Sequence, residues 1–360
     1  MAPSVSISIL AAWALCIFMH ATTIFIAAGS VAASESSALE LEAKALLESG
    51  WWSRYSNDTL KSRCEWDGIT CDFGGSVQVI DMAWVNLGGK IRSIPFEIGY
   101  LSKLTYFDFS QNNLTGESPL SLANLFQLVS LNISSNLISG SIPKELGSLK
   151  NLFELSLRND RFTGPIPSAL GLLINLSSLD LSFNEFNGTI VLEIGLLKNL
   201  LNLDLQQNKL IGSIPSSLGY LTNLVSLSLS SNQLNGSIPP EIGNMTKMSS
   251  LYLNNNKLIG SIPLSLGYME NLSFLYVNTN KLIGSIPSSL GYLTNLVSLF
   301  IDSNQIHGSI PKTISHLTYL ETLSFTRNQI SGSIPEEIAT CRSLKDLSLS
   351  YNYLTGSIPS

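Results

Sequence analysis

Asparagine returns every 24 residues along most of this chain, at 112, 136, 184, 208, 232, 256, 280, 304, 328 and 352, and Asp160 fills the one remaining lattice site. A fixed period held this long leaves few options, because each copy must repeat the same local path and rest on the copies beside it. The surrounding frame returns with it, as in Leu224-Val-Ser-Leu227-Ser-Leu229-Ser-Ser-Asn232-Gln-Leu234-Asn-Gly236-Ser-Ile238-Pro239. An earlier, irregular copy runs through Val77, Ile80, Met82, Leu87, Gly89 and Ile91 with Val85 at the Asn site, which makes twelve copies.

Leucines two apart point to one face of a short strand, and the residues between them point to the other. One copy cannot bury its own leucines, so copies stack and each strand pairs with the next at about 4.8 Å. The expected result is one inner parallel sheet on the order of 50 Å long. A column of Asn, carrying both donor and acceptor, serves the backbone where each strand ends. Asp160 keeps only the acceptor half when ionised. Gly236 permits close backbone approach, and Pro239 begins the outer segment. Val191 stands at the Pro site of the fifth copy, and a looser outer turn is expected there.

The frame LxxLxLxxNxLxGxIP resembles the plant-type leucine-rich repeat, over Ser76 to Ser360. Upstream, Glu42-Ala-Lys-Ala-Leu-Leu-Glu-Ser-Gly-Trp-Trp52 and Cys64-Glu-Trp66-Asp-Gly68-Ile-Thr-Cys71 resemble the N-terminal cap of the outer domains of plant receptor-like kinases. The fold this implies is an α/β solenoid, a right-handed superhelix with an inner parallel sheet and an N-terminal capping helix. Leu39, Ala43, Leu46 and Leu47 fall at helical spacing and make that helix amphipathic. Cys64 and Cys71 lie close together in a secreted type of chain, which favours a disulfide pinning the cap.

Residues 1–33 contain no Asp, Glu, Lys or Arg and carry an apolar stretch from Ile7 to Ala28, followed by Val31-Ala32-Ala33. This reads as a secretory signal with a cleavage site, although the stretch is also long enough to anchor in a bilayer uncleaved. The expected organisation is therefore signal 1–33, cap 34–75 and repeats 76–360. No later segment has the roughly 20 apolar residues of a membrane span. The chain is expected to be secreted, or to lie outside the plasma membrane as part of a longer receptor. Its twelfth copy stops just after Ile358-Pro359, which reads as truncation.

Net charge is -6 with no basic run, so a nucleic-acid partner is not expected. GxSxG, GxGxxG, P-loop and HExxH motifs are absent, so neither an enzyme nor a cofactor is expected. His307, His316 and Cys341 match no zinc spacing, and Cys341 reads as a small buried thiol. Asp81, Asp108, Asp180 and Asp204 recur four residues before the lattice site, where they read as solvated strand residues rather than as an acid–base pair.

Eight sequons are present: Asn57, Asn113, Asn132, Asn175, Asn187, Asn235, Asn244 and Asn271. Asn132 points onto the inner face, and nothing beyond Asn271 qualifies. At the inner-face position four before the lattice, where most copies carry Ser, Asn or Asp, three successive copies carry Tyr252, Tyr276 and Phe300. Phe274 flanks these rings, with Asn254, Asn278 and Asp302 on the same face and Arg327 in a following copy. Exposed aromatics beside hydrogen-bonding groups are typical interface anchors, and neighbouring rings also stabilise a sheet by cross-strand packing. The receptor resemblance implies a peptide or protein ligand on this face and a co-receptor as a further partner. Relatives that sense peptides use an Arg-x-Arg pair for the ligand's carboxylate, and this chain has none. The competing expectation is a secreted inhibitor of a cell-wall hydrolase, resembling the polygalacturonase inhibitors, although the cysteine-bearing C-terminal cap of that group is absent here.

Overall fold

The computed structural model of the chain describes residues 38–52, 62–85 and 93–359. The signal segment, Asn57 and the stretch bearing Leu87, Gly89 and Ile91 lie outside the described residues. Every copy contributes a short strand to one 13-stranded sheet. Twelve of these strands run parallel, in unshifted register, so that Leu227 pairs with Leu251 and Leu251 with Leu275. The 24-residue period thus becomes a physical column, with Leu203, Leu227, Leu251, Leu275 and Leu299 all essentially inaccessible to water.

Outer segments following each Ile-Pro are five-residue 3₁₀ turns, such as Ser216–Tyr220 and Ser288–Tyr292, where an α/β solenoid implied helices. The segment between Pro and the next core leucine is too short for an α-helix to form stably, and 3₁₀ geometry suits short connectors. Neighbouring turns touch through glycine. A Cβ at Gly219 would lie 2.3 Å from the carbonyl oxygen of Glu241 in the next copy. On the flank between lattice Asn and Pro, further parallel pairing appears, including Thr115–Glu117 with Leu137–Gly140 and Gln329–Ser333 with Tyr353–Thr355. Here Gly236 takes a left-handed φ of 73°.

Val191 departs from expectation. Its φ of -74° and ψ of 139° fall in the range of the prolines at the equivalent sites, and the turn that follows, Leu192–Leu196, has the usual length. Stacking on neighbouring copies sets this turn, and Val191 conforms to it. Val191→Pro is therefore expected to stabilise the chain by about 0.4–1 kcal/mol through the unfolded state, seen as a higher denaturant midpoint. A lower midpoint would mean that the Val191 side chain, which packs partly against the core, matters more than chain stiffness.

The cap is α-helical over residues 38–48 and buries Ala43 and Leu46 completely, with Leu39 and Leu47 partly covered. Strand Ile69–Cys71 pairs antiparallel with Val77–Asp81 and closes the sheet edge. Cys64 and Cys71 are joined, with their Cα atoms 5.5 Å apart. Behind them Trp51, Trp52 and Trp66 pack with Phe107 and Phe109. Glu42, almost fully buried, accepts the Val77 N–H at 3.1 Å and faces Arg63 at 3.8 Å. Burial raises its pKa, while the Val77 bond and Arg63 oppose the rise.

The lattice asparagines work as a ladder. Asn232 donates from Nδ2 to the carbonyls of Leu205, Leu229 and Ser230, and its Oδ1 accepts from the N–H of Leu210. Two of those four partners belong to the preceding copy, so each Asn fastens two copies together. The residue just before each lattice site is left-handed, among them Trp84, Phe183, Thr279 and Arg327 with φ between 55° and 60°. At Asp160 the ladder is incomplete. Its Oδ1 accepts the Ile138 N–H at 2.8 Å, and its buried Oδ2 has no partner.

Candidate ligand-binding face

Strands Ser250–Tyr252, Phe274–Tyr276 and Ser298–Phe300 bring the three rings together because their register is unshifted, with Tyr252 opposite Tyr276 and Tyr276 opposite Phe300. Leu251, Leu275 and Leu299 alternate with them and face the core. Ring centroids are 5.1 Å apart for Tyr252 and Tyr276 and 4.7 Å for Tyr276 and Phe300, at steep interplanar angles of 68° and 78°. Phe274 meets Tyr276 edge to face at 6.5 Å. Such pairs contribute about 0.5–1.5 kcal/mol each beyond burial, so the rings hold the sheet as well as presenting a surface. All four rings are half-buried and keep one side to solvent.

Asn254, Asn278 and Asp302 line the same face, also half-buried. Burial raises the Asp302 pKa, and Ser324 and Arg327 pull it back. Burial likewise raises the Tyr276 pKa. Arg327 is exposed at the rim, and its guanidinium sits 5.5 Å from the Tyr351 ring. It belongs to the edge of this surface rather than its floor.

Of the four recurring strand aspartates, Asp81 is exposed as expected, whereas Asp108, Asp180 and Asp204 are covered and hydrogen-bonded. Asp108 is only 8% exposed and accepts from the Ser110 N–H, the Tyr106 hydroxyl and the Asn132 amide. Asp180 and Asp204 likewise accept the N–H two residues on, at Ser182 and Gln206. In each case the short carboxylate satisfies locally the N–H two residues on, as in an Asx turn. Burial, then Asp108 and Asp81, push Tyr106 up to about 12.

Of the sequons, Asn113, Asn187, Asn235 and Asn244 are exposed. Asn175 and Asn271 are exposed too, each donating to a carbonyl of the preceding copy, Lys150 and Thr246. Asn132 is half-buried and committed to Asp108 and Ser134. Cys341 is a free thiol, 5% exposed, and burial raises its pKa. Among the described residues no group of three or more His, Cys, Asp or Glu could hold a metal ion, and no helix is long and apolar enough to cross a membrane.

One surface feature was missed in the sequence. A groove of about 870 Å³ on the flank before the strands is lined by Val129, Phe153 and Leu201 and by Asn151, Asn175 and Asn199. Its signal was available as apolar residues at one exposed position in several copies, just before each strand.

The Leucine Rich Repeat family model matches residues 103–125, 127–149, 175–197, 199–221, 223–245 and 247–269, and a second model of the same repeat matches 294–354. A solved leucine-rich-repeat protein of Leptospira interrogans is 32% identical, with TM-score 0.56, covering 74% of this chain and 71% of that one. The chain belongs to the leucine-rich-repeat family. Within it, the chain is also similar to plant receptor outer domains. The crystal structure of a TDR receptor is 36% identical with TM-score 0.72 over 74% of this chain. The Arabidopsis receptor kinase HAESA, solved with the peptide hormone IDA and the co-receptor SERK1, is 30% identical with TM-score 0.67 over 89%. This leucine-rich-repeat chain spans 46% of the TDR structure's length and 59% of the HAESA structure's. No curated protein matches the sequence.

Proposed function

We propose that this chain is the extracellular ligand-recognition part of a plant receptor, and that a peptide or protein ligand docks on the inner face across Tyr252, Tyr276 and Phe300. The ring ladder carries the proposal. It replaces the small polar residues of other copies with three half-exposed aromatics in register, and Asn254, Asn278 and Asp302 offer hydrogen bonds beside them. Rigid rings with adjacent polar groups are efficient anchors, because they lose little conformational freedom on binding. An extended segment crossing the strands would meet a ring about every 4.8 Å. Arg327 at the rim is available to an acidic group of the ligand. Similarity to HAESA, solved with a peptide hormone and a co-receptor, supports a peptide ligand and a co-receptor for this chain as well.

The test begins with peptides selected from a random library against the folded chain. A photoreactive phenylalanine analogue placed at Tyr276 is expected to cross-link them, while the same group at Tyr220 on the outer turn is not. Cross-linking from Tyr220 alone would move the site off the inner face. Inhibition of a polygalacturonase by the purified chain, with no selectable peptide, would favour the hydrolase-inhibitor function instead.

A further inference from the structure

The flank groove holds a sequon within its own lining. Asn175 and Ser177 both line it, and the Ser177 N–H donates to the carbonyl of Phe153 at 2.8 Å, so the acceptor asparagine and an exposed ring lie on adjacent copies. Phe153 is 54% exposed, and Leu201 and Val129 extend the apolar lining. Val129, Phe153 and Leu201 thus form a short exposed apolar row beside the sequon. Among the described residues nothing covers this row, and Phe153 stays open to solvent.

We propose that the cover is an N-glycan on Asn175, with its innermost N-acetylglucosamine lying in the groove and its C–H face against the Phe153 ring. Attachment needs a lipid-pyrophosphate-linked oligosaccharide as donor. The Asn175 amide nitrogen forms the bond to sugar C1 and loses one proton, while the donor's C1–O bond breaks and the lipid pyrophosphate leaves. The amide keeps one N–H for the Lys150 carbonyl, its present partner at 2.8 Å. The groove is an open depression of about 870 Å³, which leaves room for the innermost sugar beside Phe153. Asn271 provides an internal control. It occupies the same position four copies further on and bonds Thr246 in the same manner, but the residue equivalent to Phe153 is Ser249 and no ring awaits its sugar. The proposal depends on passage through the secretory pathway and not on the inner-face ladder, so the two fail separately.

The full chain expressed in a plant secretory host tests it. Peptide mapping should find Asn175 glycosylated. Asn175→Gln should lower the thermal midpoint by about 2–4 °C and raise binding of an apolar fluorescent dye severalfold, while Asn271→Gln should change neither. Phe153→Ser, tolerable because that ring is exposed, should reproduce the loss, and adding Asn175→Gln to it should lower the midpoint no further. Enzymatic trimming of the folded protein to the innermost sugar should leave the midpoint unchanged. An unmodified Asn175, equal effects of the two Gln variants, or loss of the stabilisation on trimming would overturn the proposal.

Discussion

Asp160→Asn is expected to raise the thermal midpoint by roughly 5 °C at pH 8.5 and to leave it nearly unchanged at pH 4. Asp160 stands where every other lattice site carries Asn. It is 9% exposed, its Oδ2 lacks a partner, and burial pushes its pKa up to about 8 against the two backbone N–H groups that lower it. The folded chain therefore keeps a proton on Asp160 that the unfolded chain releases near the ordinary carboxylate value of about 3.9. Between those values the folded state binds more protons, so stability is greatest below about pH 4 and falls as pH rises to about 8, by up to about 1.4 kcal/mol per unit. Protonated, the carboxyl can donate toward the carbonyls that an Asn Nδ2 meets at this position. Ionised, it faces the same oxygens with charge. Asn136 and Asn184, above and below it, do not titrate. Arg158 is turned to Asp180 on the inner face, and Arg161 is exposed on the flank. Glu42, Asp204 and Asp302 are also raised by burial and add pH dependence of the same sign. The quantity to measure is therefore the difference between wild type and variant across pH 4–8.5. A difference that stays constant would contradict a protonated Asp160.

The lattice made the sheet legible, because a column of leucines 24 residues apart can be buried only by stacking copies in register. The capping helix was legible from its helical spacing and its resemblance to receptor cap motifs, and the Cys64–Cys71 bond from two cysteines close together in a secreted type of chain. Other features leave no compositional trace. The left-handed position before each Asn is filled by residues as different as Phe183, Ser231 and Arg327, so stacking rather than residue preference imposes it. Nothing in the sequence marks Glu42 as buried, and only the fold brings Arg63 and the Val77 N–H to it. The inner-face aspartates looked solvated because the turn that feeds them N–H groups is invisible in the sequence. At the candidate site the opposite holds. Tyr252, Tyr276 and Phe300 share one lattice position, and the structure sets their rings edge to face as that position requires. Arg327 was placed on the right copy, but its position at the turn carries it to the rim.

Replacing Tyr252, Tyr276 and Phe300 together by Ser is expected to weaken a selected peptide about 100-fold, or about 2.7 kcal/mol, because buried aromatic anchors carry most of an interface's energy. The same change removes three edge-to-face ring pairs, the Phe274–Tyr276 contact included, and lowers stability by on the order of 2 kcal/mol. The large continuous core should tolerate that loss, and Ser already stands at this position in Ser228 and Ser324. Circular dichroism separates lost folding from lost binding. The decisive measurement is calorimetric titration of one library-selected peptide into the wild type and into the triple variant, both verified as folded. A loss of about two orders of magnitude in affinity is the result expected of a ligand site on the inner face. A folded variant that binds the peptide as tightly as wild type would contradict it.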